Sequence, residues 1–188
     1  MKHAIVNAGK RGHVDGRQVR ITREGAMSVV LSSDHRQVLL LRREVFILWD
    51  LPGGGIEKHE EPVEAAVREA HEETGYQIAI ERFVGLYAHQ SVYGPGDQLT
   101  HAFRGRVVGG KARPFNLEST GLRWFPVTRL PRGLQPLHRQ IIADALSEDA
   151  APFERYMPFS LWKLYPARVV FLFLRWMNNL VKKIIRAH

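Results

Sequence analysis

Gly53-Gly54-Gly55-Ile56-Glu57-Lys58-His59-Glu60, followed after a short gap by Arg68-Glu69-Ala70-His71-Glu72-Glu73-Thr74-Gly75-Tyr76, is a glycine-rich turn feeding a helix crowded with carboxylates. Pro62 suits a first helical turn and Gly75 a helix stop, so Val63 to Thr74 reads as a helix of about three turns. At roughly 100° per residue, Glu69, Glu72 and Glu73 share one face, while Val63, Ala66, Val67, Ala70 and Thr74 share another that suits a core. Glu69 and Glu73 stand at i,i+4 with like charge, an arrangement that opposes helix formation. Arg68, four residues after Glu64, is placed for ordinary helix pairing. A plain solvated acidic face fits this conflict poorly. A hard divalent cation would relieve it, and Mg²⁺, which prefers oxygen ligands and keeps several waters, is commonly shared between carboxylates and phosphates.

The glycines point the same way. Leu51-Pro52 ends an apolar stretch, and three glycines in a row permit positive φ and a close approach of backbone to ligand.

Read as a spacing, Gly54, Glu60, Arg68, Glu69, Glu72, Glu73 and Gly75 fit G-x5-E-x7-R-E-U-x-E-E-x-G-U, with Ala70 and Tyr76 at the apolar U positions. This resembles the Nudix box of the Nudix hydrolase family. The resemblance implies that the Gly53 carbonyl and the carboxylates of Glu69, Glu72 and Glu73 hold Mg²⁺ or Mn²⁺. It implies bracing roles for Glu57 and Arg68, the arginine tying loop to helix; for Glu60 a supporting role is expected from its place in the loop. It also implies an α/β/α sandwich with a mixed sheet. The expected division is an N-terminal extension over 1–19, the hydrolase domain over 20–148, a linker over 149–158 beginning Asp149-Ala150-Ala151-Pro152, and a basic amphipathic helical tail over 159–188.

The rest of the chain agrees with such a fold. Ala26 to Leu31 and Gln37 to Arg42 read as strands around Ser32-Ser33-Asp34-His35, and Phe46 to Asp50 leads into the glycines. Ile78 to Tyr87, Thr100 to Val108 and Arg123 to Val127 read as further strands, and Leu137 to Leu146 as a second helix. Strands and helices without a regular βαβ repeat suggest a mixed sheet covered by helices.

Candidates outside the box are fewer. Many Nudix hydrolases place a further glutamate six residues before a tryptophan, and Glu118 has that offset from Trp124; it would bind metal or take a proton from the attacking water. Asp97, His89 and His101 are rival bases, although a histidine in or near a strand is more often a structural residue. Arg42 and Arg43 end a strand just before the box, where one guanidinium could fork onto a phosphate while its neighbour faces solvent. Tyr93 and Pro95 occupy the region where family members vary with substrate, which makes Tyr93 a substrate-binding candidate.

Composition bounds the alternatives. With 188 residues, 45% of them apolar, the chain has material for one substantial core and an appendage. The absence of cysteine excludes disulfides, thiolate zinc sites and cysteine nucleophiles. Residues 1–16 carry no apolar stretch of the kind a secretory signal needs, so the expected location is cytoplasmic. Of the net charge of +8, residues 152–188 hold +6, from seven basic residues against Glu154. A nearly balanced body argues against nucleic acid as a partner.

In the tail, Arg168, Arg175, Asn178, Asn179, Lys182, Lys183 and Arg186 gather on one helical stripe beside aromatic and aliphatic bulk. Such a segment would dock on its own domain or a second subunit, lie peripherally on an anionic membrane surface, or meet another protein. The expected activity is metal-dependent hydrolysis of a nucleoside diphosphate linked to another group, releasing a nucleoside monophosphate. A nucleotide-sensing module without turnover and a membrane-surface or partner-binding protein acting through its tail are the alternatives.

Overall fold

The computed structural model describes residues 11–43, 48–91, 95–113, 119–149 and 151–158. Tyr93, Glu118 and the tail 159–188 lie outside them, as do the docking modes expected of that tail. Among the described residues no helix is long and apolar enough to cross a membrane.

Among the described residues eleven elements follow one another: β1 (Arg11–Val14), β2 (Arg17–Leu31), β3 (Gln37–Arg43), β4 (Leu48–Asp50), β5 (Gly53–Gly55), α1 (Pro62–Thr74), β6 (Tyr76–Gln90), β7 (Asp97–Gly110), β8 (Ser119–Pro126), α2 (Pro136–Leu146) and β9 (Phe153–Tyr156). The strands form one mixed sheet in the order β4-β3-β2-β7-β6-β9, with β1 and β5 paired to β2 and β8 paired to β3. β2 runs parallel to β7 and β6 parallel to β9; the other pairings are antiparallel.

Strand alternation sends side chains to two cores, one under each helix. Val30 and Leu39 meet Ala70 of α1. Their neighbours Val29, Leu31, Val38 and Leu40 meet Leu137 and Ile141 of α2. The helices therefore cover opposite faces of the sheet, the expected sandwich.

α1 has clear local causes. Pro62 presets the first turn, and the Glu64 carboxylate accepts the Glu61 N–H at 3.0 Å. Gly75 closes the helix at φ 77°, its N–H reaching the His71 carbonyl at 2.8 Å. Glu64 is thus a capping residue and not the partner of Arg68 that helical spacing suggested.

The sheet is wider than the sequence reading proposed. Residues read as an N-terminal extension form β1 and the start of β2, closed by a two-residue turn at Asp15-Gly16 with φ of 52° and 69°. Asp-Gly in this conformation is a strong hairpin signal, and Val14, Val19 and Ile21 bury against Ala88 and Leu99. Residues 153–156, read as linker, pair with β6, and the compact unit runs to Met157.

Candidate active site

The glycine segment is a strand and not a positive-φ loop: Gly55, Gly54 and Gly53 pair with Gly25, Ala26 and Met27, and none of the three has positive φ. What glycine supplies here is close approach. A Cβ on Gly54 would overlap the Glu69 carboxylate. One residue earlier, the Gly53 N–H donates to Glu73 Oε2 at 2.8 Å. The Ser28 N–H holds the Pro52 carbonyl at 2.9 Å, while Ser28 Oγ donates to the Ala66 carbonyl of α1 at 3.0 Å. Strand and helix are thereby fastened together with carboxylates along the seam.

Arg68 organises the other side. Its Nε and Nη2 fork onto Glu60 at 2.7 and 3.0 Å. Nη1 reaches Glu69 at 2.9 Å and Glu72 at 3.3 Å, and Nη2 also donates to the Gly55 carbonyl at 2.9 Å. The planar fork suits this many acceptors, which a lysine could not meet together. Hydrogen bonding from Arg68 holds the Glu60 carboxyl below its usual range. Glu60 Oε2 also accepts the Glu57 N–H at 2.9 Å, so it fixes the loop before α1. Arg68 is thus hydrogen-bonded to both the loop and the strand; Glu57 takes part through its backbone N–H, its side chain being exposed.

The three box carboxylates differ in setting. Glu73 is 5% exposed. Glu69 is mostly buried between Arg68 and Gly54, and Glu72 is open to solvent at 57%. The like-charge conflict of Glu69 and Glu73 is answered within the protein, by Arg68 for the first and the Gly53 N–H for the second. It does not by itself demand a cation.

The remaining candidates are dispersed. By alternation with Leu40, Arg42 falls on the α2 side of β3, whereas the box carboxylates ride on α1 across the sheet. Asp97 accepts the Arg20 N–H at 2.9 Å and the Tyr156 hydroxyl at 3.4 Å, tying strands together. His89 is buried, which pushes its pKa down, and Nδ1 lies 3.0 Å from the Gln90 carbonyl. His101 pairs with Glu24 at 3.3 Å on the α1 side, one strand from Gly54. Glu24 carries no local signal in the sequence, because only strand register brings it to His101.

An α/β domain with a carboxylate helix laced to a glycine strand is the class that fold and site define. The NUDIX domain model matches residues 22–145. A putative 8-oxo-dGTP diphosphatase of Bacillus subtilis is 38% identical over 121 residues, covering 64% of this chain and 78% of that protein. A CMP-5'-(N-acetyl-N-hydroxy-3-aminopropyl)phosphonate hydrolase of Streptomyces rubellomurinus is 32% identical over 110 residues, 55% of this chain and 52% of that one. Among solved structures, a NUDIX hydrolase from Nitrosomonas europaea superposes with TM-score 0.60 at 18% identity, over 85% of this chain and 99% of that one, which bears on the fold alone. The chain belongs to the NUDIX family and is a hydrolase of the Nudix type.

Proposed function

We propose that this chain is a divalent-metal-dependent hydrolase of a pyrophosphate bond in a nucleoside diphosphate linked to another group, releasing a nucleoside monophosphate. The observation that carries it is the seam itself: Glu73 bonded to the Gly53 N–H and Glu69 packed on Gly54 set two carboxylates against the two strand positions where a Cβ would collide.

Chemistry of the donors supports Mg²⁺ or Mn²⁺. The set is all oxygen: the carboxylates of Glu69, Glu72 and Glu73 and the Gly53 carbonyl. Among the described residues no three His, Cys, Asp or Glu side chains converge into a metal group. Mg²⁺ keeps several waters and is usually bound through one or two carboxylates together with substrate phosphate. When bound, such a cation would neutralise charge on the pyrophosphate and lower the pKa of water.

The reaction needs no covalent intermediate. Water adds to one phosphorus, the P–O bond to the bridging oxygen breaks with that oxygen keeping the electron pair, and the water proton passes to a carboxylate, Glu118 or one of the box glutamates. Arg68 and Glu60 keep the helix and strand in register during the step. The likeness to a CMP-phosphonate hydrolase favours a nucleoside monophosphate as leaving product, while the likeness to a diphosphatase named for 8-oxo-dGTP makes nucleoside triphosphates the principal competitor substrates.

A panel of nucleotide sugars, dinucleotide polyphosphates and nucleoside triphosphates, incubated with Mg²⁺ and read by product mass, tests the reading. A nucleoside monophosphate from a diphosphate-linked substrate is the expected product. Glu73→Gln should lower kcat by about 100-fold or more. Phosphate ester release unchanged in that variant would remove the catalytic assignment.

A further inference from the structure

The chain leaves β4 by an unusual anchor. The β3–β4 ladder ends where Leu41 faces Asp50, and the next residue, Leu51, is fully buried at 0% exposure. Its N–H must find an acceptor inside the protein. That acceptor is Nδ1 of His138 on α2, at 3.2 Å. Because a backbone N–H only donates, Nδ1 supplies the lone pair and the ring proton sits on Nε2. His138 is 3% exposed and lies on the buried side of the helix, with Leu137, Ile141 and Ile142 beside it. Asp50, 4% exposed, lies 3.4 Å from the same nitrogen and accepts Gln135 Nε2 at 2.9 Å.

An apolar residue at 138 would pack this face without desolvating an imidazole, but it would strand the Leu51 N–H. Three successive residues are then pinned from three elements: Leu51 by His138, Pro52 by Ser28, and Gly53 by Glu73. We infer that His138 is a positioning residue, fixing the Leu51-Pro52-Gly53 backbone and so the placement of the Gly53 carbonyl for a divalent cation. This rests on the metal reading of the box.

The test uses the full chain as wild type, His138→Leu and His138→Asn, with Mn²⁺ affinity read by electron paramagnetic resonance of the free ion and stability by thermal unfolding. Asparagine keeps an acceptor near the Nδ1 position, and leucine does not. Leucine should weaken Mn²⁺ binding about 10-fold, and asparagine should stay within about three-fold of wild type even where both lower the unfolding midpoint. Unchanged affinity in the leucine variant, or equal loss in both, overturns the inference. A wild-type chain that binds no Mn²⁺ overturns the metal reading and the inference with it. Should the leucine variant not fold, the wild type decides: a ¹⁵N–¹⁵N scalar coupling across the bond from Leu51 N to His138 Nδ1 is expected, and its absence overturns the clamp.

Discussion

Gly54 and Gly55 are adjacent, alike in sequence, and opposite in what a methyl group would meet. A Cβ on Gly54 collides with the Glu69 carboxylate, whereas one on Gly55 meets nothing within 4 Å. Gly54→Ala must therefore displace Glu69 or tilt the strand. Because the clash is with the end of a side chain and not with backbone, it should cost only about 1 kcal/mol of stability, but about 100-fold in kcat, since a shift near 1 Å at the reacting groups is that damaging. Gly55→Ala should remain within about 0.5 kcal/mol of wild type in denaturant unfolding. Steady-state kinetics and urea melts of both variants check the pair, and an inert Gly54→Ala would mean that Glu69 does not act from where it stands. Arg68→Lys belongs to the same scale: a single ammonium cannot serve Glu60, Glu69, Glu72 and the Gly55 carbonyl together. With the guanidinium a quarter exposed, the expected loss is modest, about 1–2 kcal/mol in the same melts.

At the scale of elements, α2 is held at its C-terminal end by arginines from the sheet. Arg82 Nη2 donates to the carbonyls of Asp144, Ala145 and Ser147 at 2.8 to 3.0 Å, satisfying acceptors that a helix end leaves open. Asp144 itself accepts Arg155 at 2.7 and 2.8 Å, Tyr87 at 2.8 Å and Gln140 at 3.0 Å. Burial alone would raise the Asp144 carboxyl, but Arg155, Tyr87 and Gln140 together hold it below its usual range. A carboxyl depressed in the folded state contributes stability above its unfolded pKa, about 4, and that contribution fades as pH falls through the folded value. Asp144→Asn should therefore be less stable than wild type by about 2 kcal/mol at pH 7, with the difference narrowing below about pH 4. Urea unfolding at pH 7 and pH 3 measures it; a gap that stays constant or widens in acid would show that the ionised form is not what stabilises.

These elements also show why only part of the molecule was legible in advance. α1 was readable to within a residue because Pro62, Gly75 and the apolar spacing are local signals. The Nudix box marks the residues that meet along the strand–helix seam but not their partners: helical spacing points Arg68 at Glu64, while the structure delivers Glu60 from the preceding loop. β1 went unread despite Asp15-Gly16, since Arg17, Gln18 and Arg20 mask an alternation in which Val14, Val19 and Ile21 are buried. Nothing local in the sequence of α2 marks His138, and only tertiary packing sets it against Leu51.

For the molecule as a whole, the consequential strand is β9. It covers Gly85 to Ala88 of β6, carries Arg155 to Asp144, and sets the Tyr156 ring under Arg17 with its hydroxyl at Asp97. One four-residue strand thus links the edge of the sheet to α2, to β7 and to the N-terminal hairpin. Ending the chain at Ala151 would leave the β6 edge unpaired and Asp144 without its arginine, whereas ending it at Pro158 keeps every one of these contacts. The shorter form should melt roughly 5–10 °C below the longer, a difference of a few kcal/mol for a domain of this size, and should be the more prone to associate through the bared edge. Calorimetry and light scattering on the two forms distinguish this from a dispensable linker: equal midpoints would mean that β6 closes the sheet unaided, and the domain boundary would return to the end of α2.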